Sequence, residues 1–317
     1  MSDTQPTRAF APATVGNIIC GFDIFGLALG EPGDEVEARL RSEPGVVISA
    51  VHGDGGRLPT EAARNVAGVA TIAVLAESDM QDVGIEIEVW KGLPISGGMG
   101  GSAASAVAAV VAADALLQTE LSSEALLRCA SEGERGPKGD THPDNIAPAL
   151  HGGIVMVRPD EPGVVIPLPV PAGLSVALVH PDLELETNEM RGILPRELPL
   201  TQAIRQWADC SALVVGLYEA DWDLIRRSLV DRVAEPHRSR FIPGFEAVKT
   251  AGLEAGALGV GLSGSGPSMF ALCRTATEAR TVASAMAEAF AEAGIEGADT
   301  HVSEVANTGA HMVETPA

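Results

Sequence analysis

The chain has 317 residues, 46% of them apolar and 3% aromatic, and a formal charge of −22. That length supports two ordinary domains or one large one, filled mainly by aliphatic side chains. Acidity on this scale excludes sequence-independent nucleic-acid binding, which needs basic surface, and leaves any polyphosphate to be attracted locally by amides, metal and placed arginines. Cys20, Cys129, Cys210 and Cys273 lack paired CxxC spacing and read as reduced core thiols. No basic-then-apolar leader opens the chain, and its longest apolar run is too short and alanine-rich to span a bilayer, so a cytoplasmic protein with no membrane partner is expected.

In chain order, residues 9–13 lead into an apolar stretch from Thr14 to Asp23 whose strong polar groups are Asn17 and Asp23. Beside glycine such residues shape turns; buried among apolar neighbours they need partners, and both readings stand. Residues 36–40 and 46–51 read as a strand hairpin joined through Glu43-Pro44-Gly45. Asn65 opens an apolar helix through Leu75, either as its cap or as a ligand contact. Val83, Ile85, Ile87 and Val89 then alternate with Gly84, Glu86, Glu88 and Trp90, the period of a half-buried strand.

The next segment carries the chemistry. Pro94 and Ser96 lead to Gly97, Gly98, Gly100 and Gly101, interrupted by Met99, and Ser102 and Ala103 open an alanine-rich run to Leu117. Glycines let backbone approach a ligand, and the first N–H groups of the following helix have no internal partners, so the loop is an anion site in outline. No Gly-Lys-Ser/Thr follows, and Lys91 precedes the glycines, so this is not a Walker loop.

A helix capped by Ser122 or Ser123 runs towards Gly133. A loop rich in glycine and proline follows, holding Glu134, Gly136, Pro137, Gly139, His142, Asp144 and Asn145. Residues 154–157 form a strand and 164–179 one or two more. Pro167, Pro169 and Pro171 mark a boundary between domains 1–163 and 164–317. Thr187 caps a helix with Arg191 one turn in, and residues 201–230 form two helices parted near 220–222. Arg238 has the local features of a surface arginine in a turn. Residues 261–268, which include Gly264, make a second small-residue loop between apolar runs, and something must approach its backbone closely. A helix over 276–293, a strand over 301–305 and a disordered tail after Asn307 complete the chain.

These blocks come in the order found in the GHMP small-molecule kinases, and the chain resembles that family over nearly its whole length. The resemblance rests on Ala11-Pro12-Ala13-Thr14, Asn17, Gly21-Phe22-Asp23, the 98–105 glycine block, His142-Pro143-Asp144-Asn145 through Gly153, and 262–268. The 142–153 block is similar to the branch acting on L-homoserine. The resemblance implies an α+β, two-domain fold, ribosomal-S5-like then ferredoxin-like, and a homodimer. It implies phosphoryl transfer from ATP, with Mg²⁺, to the hydroxyl of homoserine. Asn65, Pro94, Ser96, Gly97, Gly98, Met99, Gly100, Gly101, Ser102 and Ala103 would then bind ATP, and Glu134 and Ser102 the metal. Asn17 and Asp23 would meet the substrate ammonium, Arg191 and Arg238 its carboxylate, and Asn145, with His142, its hydroxyl. Thr187 and Gly264 would complete the substrate site.

Two departures from the family pattern stand out. Gly101 occupies a position where a serine is usual, and Val15-Gly16 and Ile18-Ile19-Cys20 replace smaller residues around Asn17. Two rival readings remain. One is a GHMP kinase for mevalonate or a sugar, whose substrates lack an ammonium and whose members have an acidic residue where Asn145 stands. The other is a sensor that binds ATP and metabolite without transfer.

Overall fold

A computed structural model describes residues 5–138, 141–161 and 163–314; Gly139 of the glycine- and proline-rich loop lies outside them. The apolar runs of the first half form β1 (Thr7–Gly16), β2 (Phe25–Arg41) and β3 (Gly45–His52), then α1 (Val66–Glu77) and β4 (Gly84–Trp90). Three helices follow, α2 (Gly101–Leu117), α3 (Ser123–Lys138) and α4 (Pro143–His151), then β5 (Ile154–Val157) and β6 (Val165–Leu168). After β7 (Ser175–His180) come α5 (Thr187–Gly192), α6 (Leu200–Glu219), α7 (Trp222–Ser228), α8 (Glu235–Arg238) and α9 (Phe245–Glu254). The chain closes with β8 (Gly259–Leu262), β9 (Met269–Cys273), α10 (Ala276–Glu292), β10 (Asp299–Glu304) and β11 (His311–Val313).

One sheet has the order β11-β1-β2-β4-β3, extended by β5 on β2 and β6 on β5; the other has the order β10-β7-β9-β8. Helix α2 packs on β1, β2, α1 and α3 and is buried at every position from Ala103 to Val110, as its nearly uncharged sequence requires. Val248, Met286 and Phe290 from α9 and α10 pack with Val179, Val260 and Met269 into a second core against the smaller sheet. Asn65 does cap α1, accepting from Ala67 N at 3.0 Å. No helix of the described residues is long and apolar enough to cross a membrane.

Four local expectations are corrected. β2 and β3 do not pair as a hairpin: β4 lies between them, antiparallel to β2 and parallel to β3. The connecting turn arches over the first residue of β4, where a Cβ on Gly84 would sit 1.9 Å from Glu43 O. The chain therefore leaves β3 through α1 before returning beside it. Gly133 does not end α3, which continues through Glu134 to Lys138. It is a packing glycine, since a Cβ there would lie 2.8 Å from both Ala70 Cβ and Val66 O of α1. Thr187 is the first residue of α5 rather than its cap, and its hydroxyl faces Ser265 Oγ at 3.4 Å. The described part of the tail, through Glu314, is ordered: β11 completes the edge of β1, with Phe10 opposite His311 and their rings 5.4 Å apart.

Candidate active site

The glycine loop meets the second small-residue loop directly, and that contact answers what approaches residues 261–268. Ser263 Oγ and Ser268 Oγ donate to the carbonyls of Gly98 and Gly97, each at 2.6 Å. Gly98 has φ 75°, and a Cβ on it would lie 2.5 Å from Ser263 O. Gly100 has φ 68°, and a Cβ there would be 2.0 Å from Thr14 Oγ1. Both glycines are thus required by conformation and by space. No side chain caps α2, so its first N–H groups face the cavity with the positive end of the helix dipole behind them.

Lys91 is engaged by protein groups. Its ammonium is committed to Asp34, to Gly101 O at 2.8 Å and to Ser105 Oγ at 2.9 Å. Asp34 is fully buried and also accepts from Gly92 N at 3.0 Å and Leu93 N at 3.2 Å. This network fixes the end of β4 and the start of α2 as one unit.

The opposite end of the cavity is built on a strained turn. Asn17, Ile18, Ile19 and Asp23 all have positive φ (73°, 39°, 62° and 60°). For β-branched isoleucine this costs about 1–3 kcal/mol per residue and persists only where surrounding contacts enforce it. Those contacts come from far along the chain. Asn17 N donates to Asp144 Oδ2 at 3.1 Å, Asn17 Nδ2 to Gly264 O at 3.0 Å, and Asp23 N to Asn17 Oδ1 at 3.0 Å. Gln206 Nε2 and, at 2.9 Å, Cys210 Sγ both donate to Cys20 O. Ile18, Ile19 and Cys20 point into the core, so of the residues that depart from the family pattern Gly101 lines the cavity and those around Asn17 do not.

The charged groups of this end are two acids and two arginines. Arg191 Nη1 pairs with Asp23 Oδ2 at 2.6 Å. Arg238 is no surface arginine: it is 3% exposed, donating to Met190 O at 3.1 Å and Gly264 O at 3.0 Å. Among the described residues it has no carboxylate within ion-pair distance, and burial pulls its pKa down. A desolvated cation in that position calls for an anion. Asp144 is 3% exposed, and burial, reinforced by Asp23 and opposed by His142, pushes its carboxyl up to about 6.

Between the two ends lie Asn145 and Glu134. Asn145 Oδ1 accepts from Thr14 Oγ1 at 2.8 Å, and its Nδ2 donates to Asp144 Oδ1 at 3.3 Å. Glu134 is 1% exposed; Ser102 Oγ donates to it at 2.7 Å and His142 N at 2.8 Å. No described residue forms an ion pair with Glu134, and no group of three or more potential metal ligands exists among the described residues. A buried carboxylate beside a hydroxyl at an uncapped helix N-terminus suits a magnesium ion that takes its other ligands from phosphate and water.

All these groups open on one cavity of about 340 Å³. Of the site residues read from the sequence, only Met99 and Ala103 do not line it; both side chains are buried in the core. Sequence reasoning gave Asp144 no role of its own within the 142–153 block, and it missed the Asp34–Lys91–Ser105 and Cys20–Gln206–Cys210 groupings. Asp144 stands next to Asn145 in the chain, a signal that was available. The cysteine contact had none, because 190 residues separate its members.

Two family models match the chain: the GHMP kinases N terminal domain over residues 64–153 and the GHMP kinases C terminal over residues 213–292. A homoserine kinase of Chloroherpeton thalassium is 45% identical over 90% of this chain and 92% of its own. That of Chlorobaculum tepidum is 43% identical over 98% and 99%. A crystal structure of homoserine kinase from Cytophaga hutchinsonii superposes with a TM-score of 0.95 at 44% identity, covering 99% of both chains. A mevalonate kinase of L. major shares the fold, with a TM-score of 0.70 at 18% identity over 93% of this chain and 95% of its own.

Proposed function

The chain belongs to the homoserine kinases of the GHMP family, and from that premise we propose how its cavity divides the work. The reaction is ATP-dependent phosphorylation of the hydroxyl of L-homoserine to O-phospho-L-homoserine, a step of threonine biosynthesis. The ATP phosphates rest on the amides of residues 97–103 and the N-terminus of α2, with Asn65 near the adenine. Glu134 and Ser102 would hold Mg²⁺, which would supply positive charge to offset that of the phosphates.

Homoserine carries an ammonium, a carboxylate and a hydroxyl. Asp23 and Asp144, with the remaining lone pair of Asn17 Oδ1, receive the ammonium. Arg238, with Arg191, receives the carboxylate through charge-assisted bonds. Thr187 and Gly264 close this end, and Asn145 and His142 orient the hydroxyl towards the γ-phosphate. The Asn145 amide has no useful proton affinity, so catalysis rests on in-line positioning and electrostatic stabilisation. The hydroxyl proton passes to a phosphate oxygen as the new P–O bond forms and the γ-phosphorus parts from the bridging oxygen, which leaves with ADP.

The observation carrying this assignment is the pairing of two acids with two arginines at one end of the cavity and the uncapped α2 terminus at the other. A zwitterion fits the first end, whereas mevalonate and sugars offer no ammonium. The expected working unit is a cytoplasmic homodimer, divided at residues 163/164 into ATP-binding and C-terminal domains. The test is ADP release from Mg-ATP with L-homoserine, L-threonine, mevalonate or galactose. Turnover is expected with homoserine, and ADP release with none of the four would remove the kinase reading in favour of a sensor.

A further inference from the structure

Helix α6 has two distinct faces. Gln206, Leu213, Gly216 and Leu217 point inward and are buried, and Gln206 and Cys210 hold the substrate turn through Cys20 O. The outward face carries Leu200 (69% exposed), Ile204 (45%), Trp207 (55%), Val215 (51%) and Tyr218 (62%). With exposed Ser211 between Trp207 and Val215, these positions recur every three or four residues and fall within about 80° of one another around the helix. That is the narrow seam of a helix that pairs with another helix, rather than the broad stripe that faces a globular core. A membrane surface is a poor occupant, since Arg205 is the only basic residue of α6 and the chain carries a charge of −22.

We propose that this seam binds the same seam of a second copy, the two α6 helices packing antiparallel across a two-fold axis near the middle of the helix. The proposal rests on the homodimer named above and assigns its surface. The seam reads nearly the same in both directions, as an isologous contact demands. In antiparallel register Leu200 lies opposite Tyr218, Ile204 opposite Val215, and the indole of Trp207 opposite the small Ser211 and Ala208. The large side chain thus meets a gap on the partner helix. The five apolar side chains expose about 500 Å² per copy, so the pair can remove about 1,000 Å² from water before any neighbouring residue contributes, the lower threshold of a biological interface.

Sedimentation velocity of the full chain and of Trp207→Glu, with circular dichroism and thermal melts as folding controls, decides the matter. The wild type should sediment as a dimer and Trp207→Glu as a monomer of unchanged secondary structure and melting temperature. Should Trp207→Glu melt early, Tyr218→Glu at the exposed end of the seam becomes the deciding variant, again with a monomer expected. A wild-type dimer that survives substitution in a folded variant overturns the surface but leaves the homodimer standing. A monomeric wild type overturns both.

Discussion

Replacing Asp144 by Asn should make the protein more stable and a poorer enzyme, with both effects depending on pH. The Asp144 carboxyl is buried and pushed up to about 6 from the ordinary 3.8. Between those values the folded protein keeps a proton that the unfolded chain has lost, so stability falls as the pH rises through the window. Above it the buried charge costs about 3 kcal/mol, from roughly two pH units at about 1.4 kcal/mol each. An asparagine can still accept from Asn17 N but loses the 3.3 Å contact with Asn145 Nδ2, a bond worth about 1 kcal/mol. The net gain of about 2 kcal/mol should raise the melting temperature at pH 7.5 by roughly 3 °C, and the gain should pass through zero as the pH falls towards 4. Loss of a charged partner for the ammonium, worth about 1.5–3 kcal/mol, should raise the homoserine KM by about 10- to 100-fold. The wild-type KM should itself climb as the pH falls below 6, while that of the variant stays flat. Thermal melts from pH 4 to 8, paired with KM measurements, test both halves. A variant less stable than wild type at pH 7.5, or one with an unchanged KM, would refute the reasoning.

Glu134→Gln should lower activity by about 100-fold or more and shift the Mg²⁺ concentration for half-maximal rate upward; an unaltered magnesium titration would sink the metal assignment. Arg238→Met should raise the homoserine KM by about 30-fold or more while leaving that for ATP nearly constant, and Arg238→Lys should not restore it, because lysine lacks the planar fork. Equal effects on both KM values would point to a general loss of structure instead. Lys91→Met strands the buried Asp34 carboxylate and should cost about 3–5 kcal/mol. Adding Asp34→Asn should recover part of that in urea unfolding, and a double variant no better than the single one would contradict the pairing.

The glycine block, the 142–153 block, the Asn65 cap and most helix and strand positions were legible because each is a local pattern: a period, a cap, or a cluster of residues that break regular structure. The same locality explains the failures. Gly133 looks like a stop until α1 is packed against it, and Glu43-Pro44-Gly45 looks like a hairpin turn until β4 is threaded beneath it. Arg238 carries no local mark of burial; Met190 O and Gly264 O, which receive its hydrogen bonds, lie 48 and 26 residues away.

By itself the sequence determined the family, the phosphate loop and the identity of most of the residues that line the cavity, since these reside in contiguous motifs whose residue types the chemistry demands. Tertiary structure alone decided their working condition. It buried Asp144 and Arg238, committed Lys91 to Asp34 and gave Glu134 no ion pair among the described residues. It also forced Ile18 and Ile19 into left-handed backbone, held through contacts from Asp144, Gly264, Gln206 and Cys210. Charge state and strain are set by what surrounds a group in space, and for this turn the partners stand 127 to 247 residues away along the chain.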